Sequence, residues 1–259
     1  MKTLSARLLL VPLLMLLSLG GARAATPELL IYCGITMVRP MGEIAKQFEA
    51  REKVKVILSQ GGSEDLYQSA RKSRQGDLYL PGEPTYRARH LAEGLLGDFV
   101  TVGHNQLAIV VAKGNPRKVK GNPRELLRDD LSIIIGNAAS GSVGKETKDI
   151  LDALGIHDQV VDKALYLSAD SRELASAMRK GTVDATLNWR AVAFFPDNVT
   201  HMDVVDLDPR LAKPQALLLN LLTFSREQAL ARKFMAYAAG PEGQAIFRRH
   251  GFLDNNAAP

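Results

Sequence analysis

The chain has 259 residues, a formal charge of +5, 46% hydrophobic residues and a single cysteine, Cys33. One cysteine excludes an intramolecular disulfide, and the absence of a Lys/Arg block leaves no footprint for a nucleic-acid partner. The length is ample for one core, or for two lobes of ordinary domain size.

The chain opens on a targeting pattern. Lys2 and Arg7 precede the run LLLVPLLMLLSLGG, and ARA at 22–24 has the small-residue form of a cleavage site. The apolar run is about 14 residues, short of the roughly 20 needed to span a bilayer. Residues 1–24 are therefore expected to be a signal peptide, cleaved after Ala24. No cysteine follows closely enough for lipid attachment, so a free periplasmic protein is expected. Losing Lys2, Arg7 and Arg23 lowers the formal charge to +2.

From residue 28 onward, strand and helix patterns alternate. Strands are expected at 28–33, 54–59, 76–81, 106–112, 131–136, 164–167 and 184–189. Helices are expected at 41–51, 63–74, 84–94, 142–154, 171–180, 225–238 and 241–249. Almost wholly apolar strands separated by helices imply parallel sheets covered on both faces, an α/β architecture. The sequence KGNPR occurs at 113–117 and again at 120–124. Gly-Asn-Pro is ordinary turn chemistry, so this is read as a solvated basic loop where a first lobe passes to a second.

The segment SIIIGNAASGSVGK (132–145) is nearly a phosphate loop. In the register ASGSVGKE (139–146), Ala139 stands where a Walker A motif requires Gly, and Glu146 where it requires a metal-binding hydroxyl. Nucleotide hydrolysis is excluded. The free N–H groups opening the following helix still favour an anion, and Ser140 and Ser142 add hydroxyl donors. Three further strand-to-helix junctions are similarly rich in small and hydroxyl residues: YCGITMVRP, SQGGSEDL with Ser63, and LSADSREL with Ser168, Asp170 and Ser171. In open α/β sheets ligands bind outside the carboxyl ends of the strands, where such junctions lie. Four of them facing one cleft would surround a small oxyanion with neutral donors.

The chain also resembles the periplasmic molybdate-binding proteins of ABC importers, within the wider class of two-lobed solute-binding proteins. The resemblance runs from about residue 28 to 253. It is carried by EIAKQFEAREKVKVILSQGGSEDL (43–66), GDLYLPGEPTYRARHLAEGLL (76–96) and GPEGQAIFRRHGF (240–252). It implies a two-lobed fold, each lobe a mostly parallel sheet flanked by helices, with lobe one at 25–107 plus 208–259 and lobe two at 108–207. It implies capture of molybdate or tungstate in the cleft and delivery to an inner-membrane permease, by a monomer needing no cofactor. Carried over by position, the ligand-binding residues fall on Thr36, where family members usually have Ser, on Ser63, on the backbone near Val143, and on Ser171; Ser142, a hydroxyl donor by its own place in the loop, joins them. Trp189 stands where the family has a tyrosine donor, and Asn188 and Arg190 flank it.

Cys33, Arg39 and Arg190 are further candidates, because each departs from the family pattern near the expected cleft. They would suit another tetrahedral oxyanion, or an anionic group carrying an organic part; delivery to a sensor is the alternative destination. A soft-metal site on Cys33, Met37 and Met41 is the rival binding reading. It needs a regular helix from Cys33, against which Gly34 and Pro40 argue. His90, His104, His157, His201 and His250 include no pair at i, i+3 or i+4, so no metal box is present. No G-x-S-x-G, H-E-x-x-H or C-x-x-C motif marks an enzyme.

Overall fold

The computed structural model describes residues 26–253; the expected signal peptide lies outside them. Two five-stranded sheets carry the fold. The first contains β1 (Glu28–Gly34), β2 (Lys55–Gly61), β3 (Leu78–Leu80), β4 (Leu96–Asn105) and a late strand, β10 (Gln215–Leu222), in the order β2-β1-β3-β10-β4. The second contains β5 (Leu107–Ala112), β6 (Ile133–Gly136), β7 (Leu167–Ser168), β8 (Ala185–Trp189) and β9 (Met202–Asp206), in the order β7-β6-β8-β5-β9.

Each sheet is parallel where strand–helix–strand units build it: β1 with β2 and β3, and β6 with β7 and β8. Each is antiparallel around the strand that enters from the other sheet. β5 arrives directly from β4 and opposes β8 and β9, while β10 arrives from β9 and opposes β3 and β4. The chain thus passes between sheets twice, at Gln106 and across residues 207–214. The Gln106 Nε2 donates to the Ala212 carbonyl at 3.0 Å, tying the two crossings together.

Helices α1 (Val38–Glu52), α7 (Gln228–Ala239) and α8 (Pro241–Arg249) pack together beside the first sheet. Phe48 of α1 meets Phe234 of α7 edge-on, with ring centroids 5.0 Å apart. Helix α2 (Ser63–Ser73) packs on β1 through buried Leu66, Tyr67 and Ala70, and the short α3 (Thr85–His90) follows β3. The second sheet carries α4 (Ser142–Ala153) and α6 (Ser171–Arg179), with α5 (His157–Lys163) beside α4. The strands contribute fully buried Ile31, Leu78, Ile109, Ile133, Leu187 and Leu217, each worth roughly 1.5–3 kcal/mol of burial.

Three strands and one helix lie where the sequence reading placed none: β4, β9, β10 and α5. Both β4 and β9 are edge strands with polar residues, and β10 is a leucine-rich run lacking β-branched residues. The basic loop holds a 3-10 turn at Pro123–Leu127. The first helix starts earlier than expected, through a 3-10 turn at Ile35–Met37, with Pro40 in its first turn where a missing N–H costs little.

Candidate functional site

The carboxyl ends of the parallel strands of both sheets meet at one small cavity. Its lining comes from Gly34–Met37 after β1, Gly61–Ser63 after β2, Gly82 after β3, Gly141–Val143 opening α4, Asp170 and Ser171 opening α6, and Trp189 ending β8. The cavity is about 20 Å³, room for little more than the centre of one water-sized sphere. The lining includes no lysine or arginine. Donors are the hydroxyls of Thr36, Ser63, Ser142 and Ser171, together with the first N–H groups of the helices.

Local sequence explains this convergence. Gly62 and Gly141, both extended, cap α2 and α4 without a side-chain acceptor, so their leading N–H groups remain unclaimed by a cap. Their first intrahelical bonds come only at Leu66 and Lys145. Helix α6 differs: the Asp170 carboxylate accepts from Arg172 and Glu173 N–H at 2.8 and 2.9 Å. That bonding engages the one carboxylate of the lining in a cap. Ser63 is fixed from two sides, its Oγ accepting from Gly82 N–H at 3.1 Å and its carbonyl from the Tyr79 hydroxyl at 2.9 Å. The Ser63 hydroxyl proton is left to donate.

The two halves of the cleft touch. Thr36 Oγ1 donates to Ser171 Oγ at 3.2 Å. A Cβ on Gly82 would lie 2.2 Å from Ser142 Oγ, and one on Gly62 would lie 2.6 Å from the Ser140 carbonyl oxygen. Only glycine permits both approaches. Farther along, Gln215 of β10 donates to Glu146 of α4 at 3.0 Å. Burial pushes the Glu146 carboxyl up to about 7; the Gln215 hydrogen bond opposes this, and the Glu83 and Asp149 charges add to it.

Thr36, Ser63, Ser142, Val143, Ser171 and Trp189 thus share one cavity. Asn188, Cys33, Arg39 and Arg190 do not line it. Asn188 is fully buried behind it, donating to the Ser171 carbonyl at 3.0 Å and accepting from the Trp189 N–H at 2.8 Å. It positions two lining residues. Cys33 points into the core, because strand alternation puts it on the face of β1 away from Tyr32, among Met41, Ile44 and Phe48 of α1, and burial pushes its thiol pKa well up. Met37 lines the cavity, whereas Met41 is wholly in the core, so the proposed row of three sulfurs does not face one site. Arg39 faces a larger neighbouring chamber and pairs with Asp197. Arg190 turns outward to Asp206 at 3.0 Å and stacks on Phe194. Glu64, next to Ser63, turns along its helix to Gln68 and His90. Sequence reasoning missed Gly82, although the Pro-Gly pair ending a strand was visible.

A cleft between two mixed α/β sheets, joined by paired crossings and lined by helix starts from both, defines a two-lobed solute-binding protein. The chain belongs to the bacterial extracellular solute-binding protein family, whose model matches residues 29–253. It is 24% identical over 235 residues to the molybdate-binding protein ModA of Mycobacterium tuberculosis, covering 90% of this chain and 87% of the relative. Among solved structures, the fold is similar to the sulfate-binding protein SubI of Mycobacterium tuberculosis, with TM-score 0.79, 17% identity and coverage of 90% and 89% of the two chains. The Azotobacter vinelandii periplasmic molybdate-binding protein gives TM-score 0.73 at 16% identity, covering 87% and 98%. A PEB3 structure with bound L-phospholactate gives 0.69 at 16% identity, covering 88% and 100%.

Proposed function

We propose that this protein works in the periplasm, captures a small tetrahedral oxyanion of the molybdate–tungstate type, and delivers it to the permease of an ABC importer. The lobes would be 25–107 plus 208–259 and 108–207, freed by removal of residues 1–24, and the ligand would hold them together. One observation carries the reading. The cavity shared by the two sheets gathers four hydroxyls and several helix starts, without a lysine or arginine. Such a site stabilises an anion through fixed neutral dipoles. The ModA relative and the molybdate- and sulfate-binding neighbours support the same ligand class.

Thr36, Ser63, Ser142 and Ser171 would donate through their hydroxyls, Val143 through its backbone N–H and Trp189 through its indole. Closing on the ligand, rather than binding to one lobe, is what would shift the open–closed equilibrium toward the form a permease recognises. Fixed donors select by size, since a stretched or unfilled donor is costly. Molybdate and tungstate should bind alike and the smaller sulfate less well. Calorimetric titration with molybdate, tungstate, sulfate and phosphate tests this. Equal affinity for sulfate and molybdate would refute size selection, and no heat with any of them would refute the oxyanion reading.

A further inference from the structure

Beside the small cavity lies a second chamber of about 250 Å³, sharing Ile35, Thr36 and Ser171 with it. The Thr36–Ser171 hydrogen bond, at 3.2 Å, stands between the two spaces. The chamber walls differ sharply from those of the small cavity. Arg39 of α1 and Arg172 and Arg179 of α6 line it, against a single carboxylate, Asp197. Val38 and Phe195 contribute apolar surface.

The guanidinium groups are arranged rather than loose. Arg39 pairs with Asp197 and lies 5.2 Å over the Phe195 ring. Arg179 donates to the Asn198 side-chain oxygen at 2.6 Å, and Asn198 in turn is anchored by donating to the Val192 carbonyl at 2.7 Å. Arg179 therefore has a neutral partner holding its orientation, and among the described residues no carboxylate is bonded to it. A held guanidinium of this kind suits planar, bidentate recognition of a carboxylate. An inorganic tetrahedral anion in the small cavity would leave this chamber unused.

We propose that the two spaces form one site for a small organic anion with two charged ends. A tetrahedral phosphonate or phosphate head would sit among the helix starts, and a carboxylate on a short carbon stem would pass the Thr36–Ser171 contact to reach Arg179 and Arg39. This rests on the part of the oxyanion reading that places a tetrahedral head among neutral donors, and not on selection against sulfate-sized anions, since a phosphonate head is close to sulfate in size.

The test compares ligands with one head and different tails: methylphosphonate, phosphonoacetate and 3-phosphonopropionate, titrated into the wild type and into Arg179→Gln, with molybdate as the head-group control. In the wild type at least one carboxylated ligand should bind roughly tenfold or more tightly than methylphosphonate, as a charge-assisted hydrogen bond provides. In Arg179→Gln that ratio should fall toward one. Arg172→Gln provides a second variant on the same chamber, expected to lower the ratio less because Arg172 is largely exposed. Equal binding of all three phosphonates, with molybdate bound, overturns the two-headed site and leaves the oxyanion reading intact. A high ratio that survives in Arg179→Gln overturns the assignment of the carboxylate to this chamber. Failure of every anion, molybdate included, overturns both readings.

Discussion

Glu146 offers the most direct handle on how the cleft closes. It lies on α4 with 7% of its surface exposed, accepts a hydrogen bond from Gln215 across the cleft, and is pushed up to about 7 by burial. The Glu83 and Asp149 charges act in the same direction, while Lys145 and the Gln215 bond act against it. In the unfolded chain its carboxyl titrates near 4.5. Between those values the folded protein holds a proton that the unfolded chain has lost. The group's contribution is therefore fully present below about pH 4.5 and is lost as pH rises through 7. At 1.36 kcal/mol per unit, the difference amounts to about 3 kcal/mol as an upper bound, less where opening lets water reach the carboxylate. Glu146→Gln keeps the shape and removes the titration. Thermal unfolding between pH 5 and 8 should show the variant gaining on the wild type as pH rises, by about 1–3 kcal/mol at pH 8. For a chain of this size that is roughly 2–4 °C per kcal/mol. Melting curves that stay parallel across this range would refute the reasoning.

Other substitutions probe the site from different sides. Gly82→Ala places a methyl group against Ser142; it should hold the cleft open, weakening anion binding by tenfold or more while small-angle scattering shows a more open molecule. Thr36→Ala and Ser63→Ala should each weaken oxyanion binding by about 1–3 kcal/mol, measured by calorimetry, as expected for hydrogen bonds to a charged group. Asn188→Ala should both destabilise the fold and weaken binding, because the Ser171 carbonyl and the Trp189 N–H lose a shared partner; urea unfolding and titration together check this. Cys33 should resist thiol reagents in the native protein and react on unfolding, given its complete burial.

The parts of the molecule legible in the sequence are those set by local pattern. The apolar strands β1, β2, β5, β6 and β8 stand out through continuous hydrophobic runs. The starts of α2, α4 and α6 stand out through Gly and hydroxyl residues ahead of amphipathic stretches. These same junctions supply Ser63, Ser142 and Ser171 of the cavity lining from local pattern, whereas Thr36, Val143 and Trp189 are assigned through the resemblance to the molybdate-binding family.

What escaped depends on long-range pairing or on side-chain direction. Strand β10 joins the first sheet only after the chain has traversed the second, and its Leu-Leu-Leu-Asn-Leu-Leu run carries no local strand signal. Strands β4 and β9 sit at edges, where one neighbour and partial exposure permit polar residues. Arg39 and Arg190 are equally charged in sequence, yet Asp197 and Phe195 hold one at the second chamber while Asp206 and Phe194 draw the other away. Cys33 is directed into the core by strand alternation, and the supporting role of Asn188 arises from a bond to a residue 17 positions earlier.

The most direct measurement is a crystal structure of the protein grown with tungstate, whose heavy atom reports its own position. Capture of the oxyanion between the lobes should give one strong anomalous peak in the cavity between the two sheets, with oxygens in hydrogen-bond reach of Ser63, Ser171 and the Val143 N–H. A peak bound elsewhere, or a cavity still empty at saturating tungstate, would contradict it.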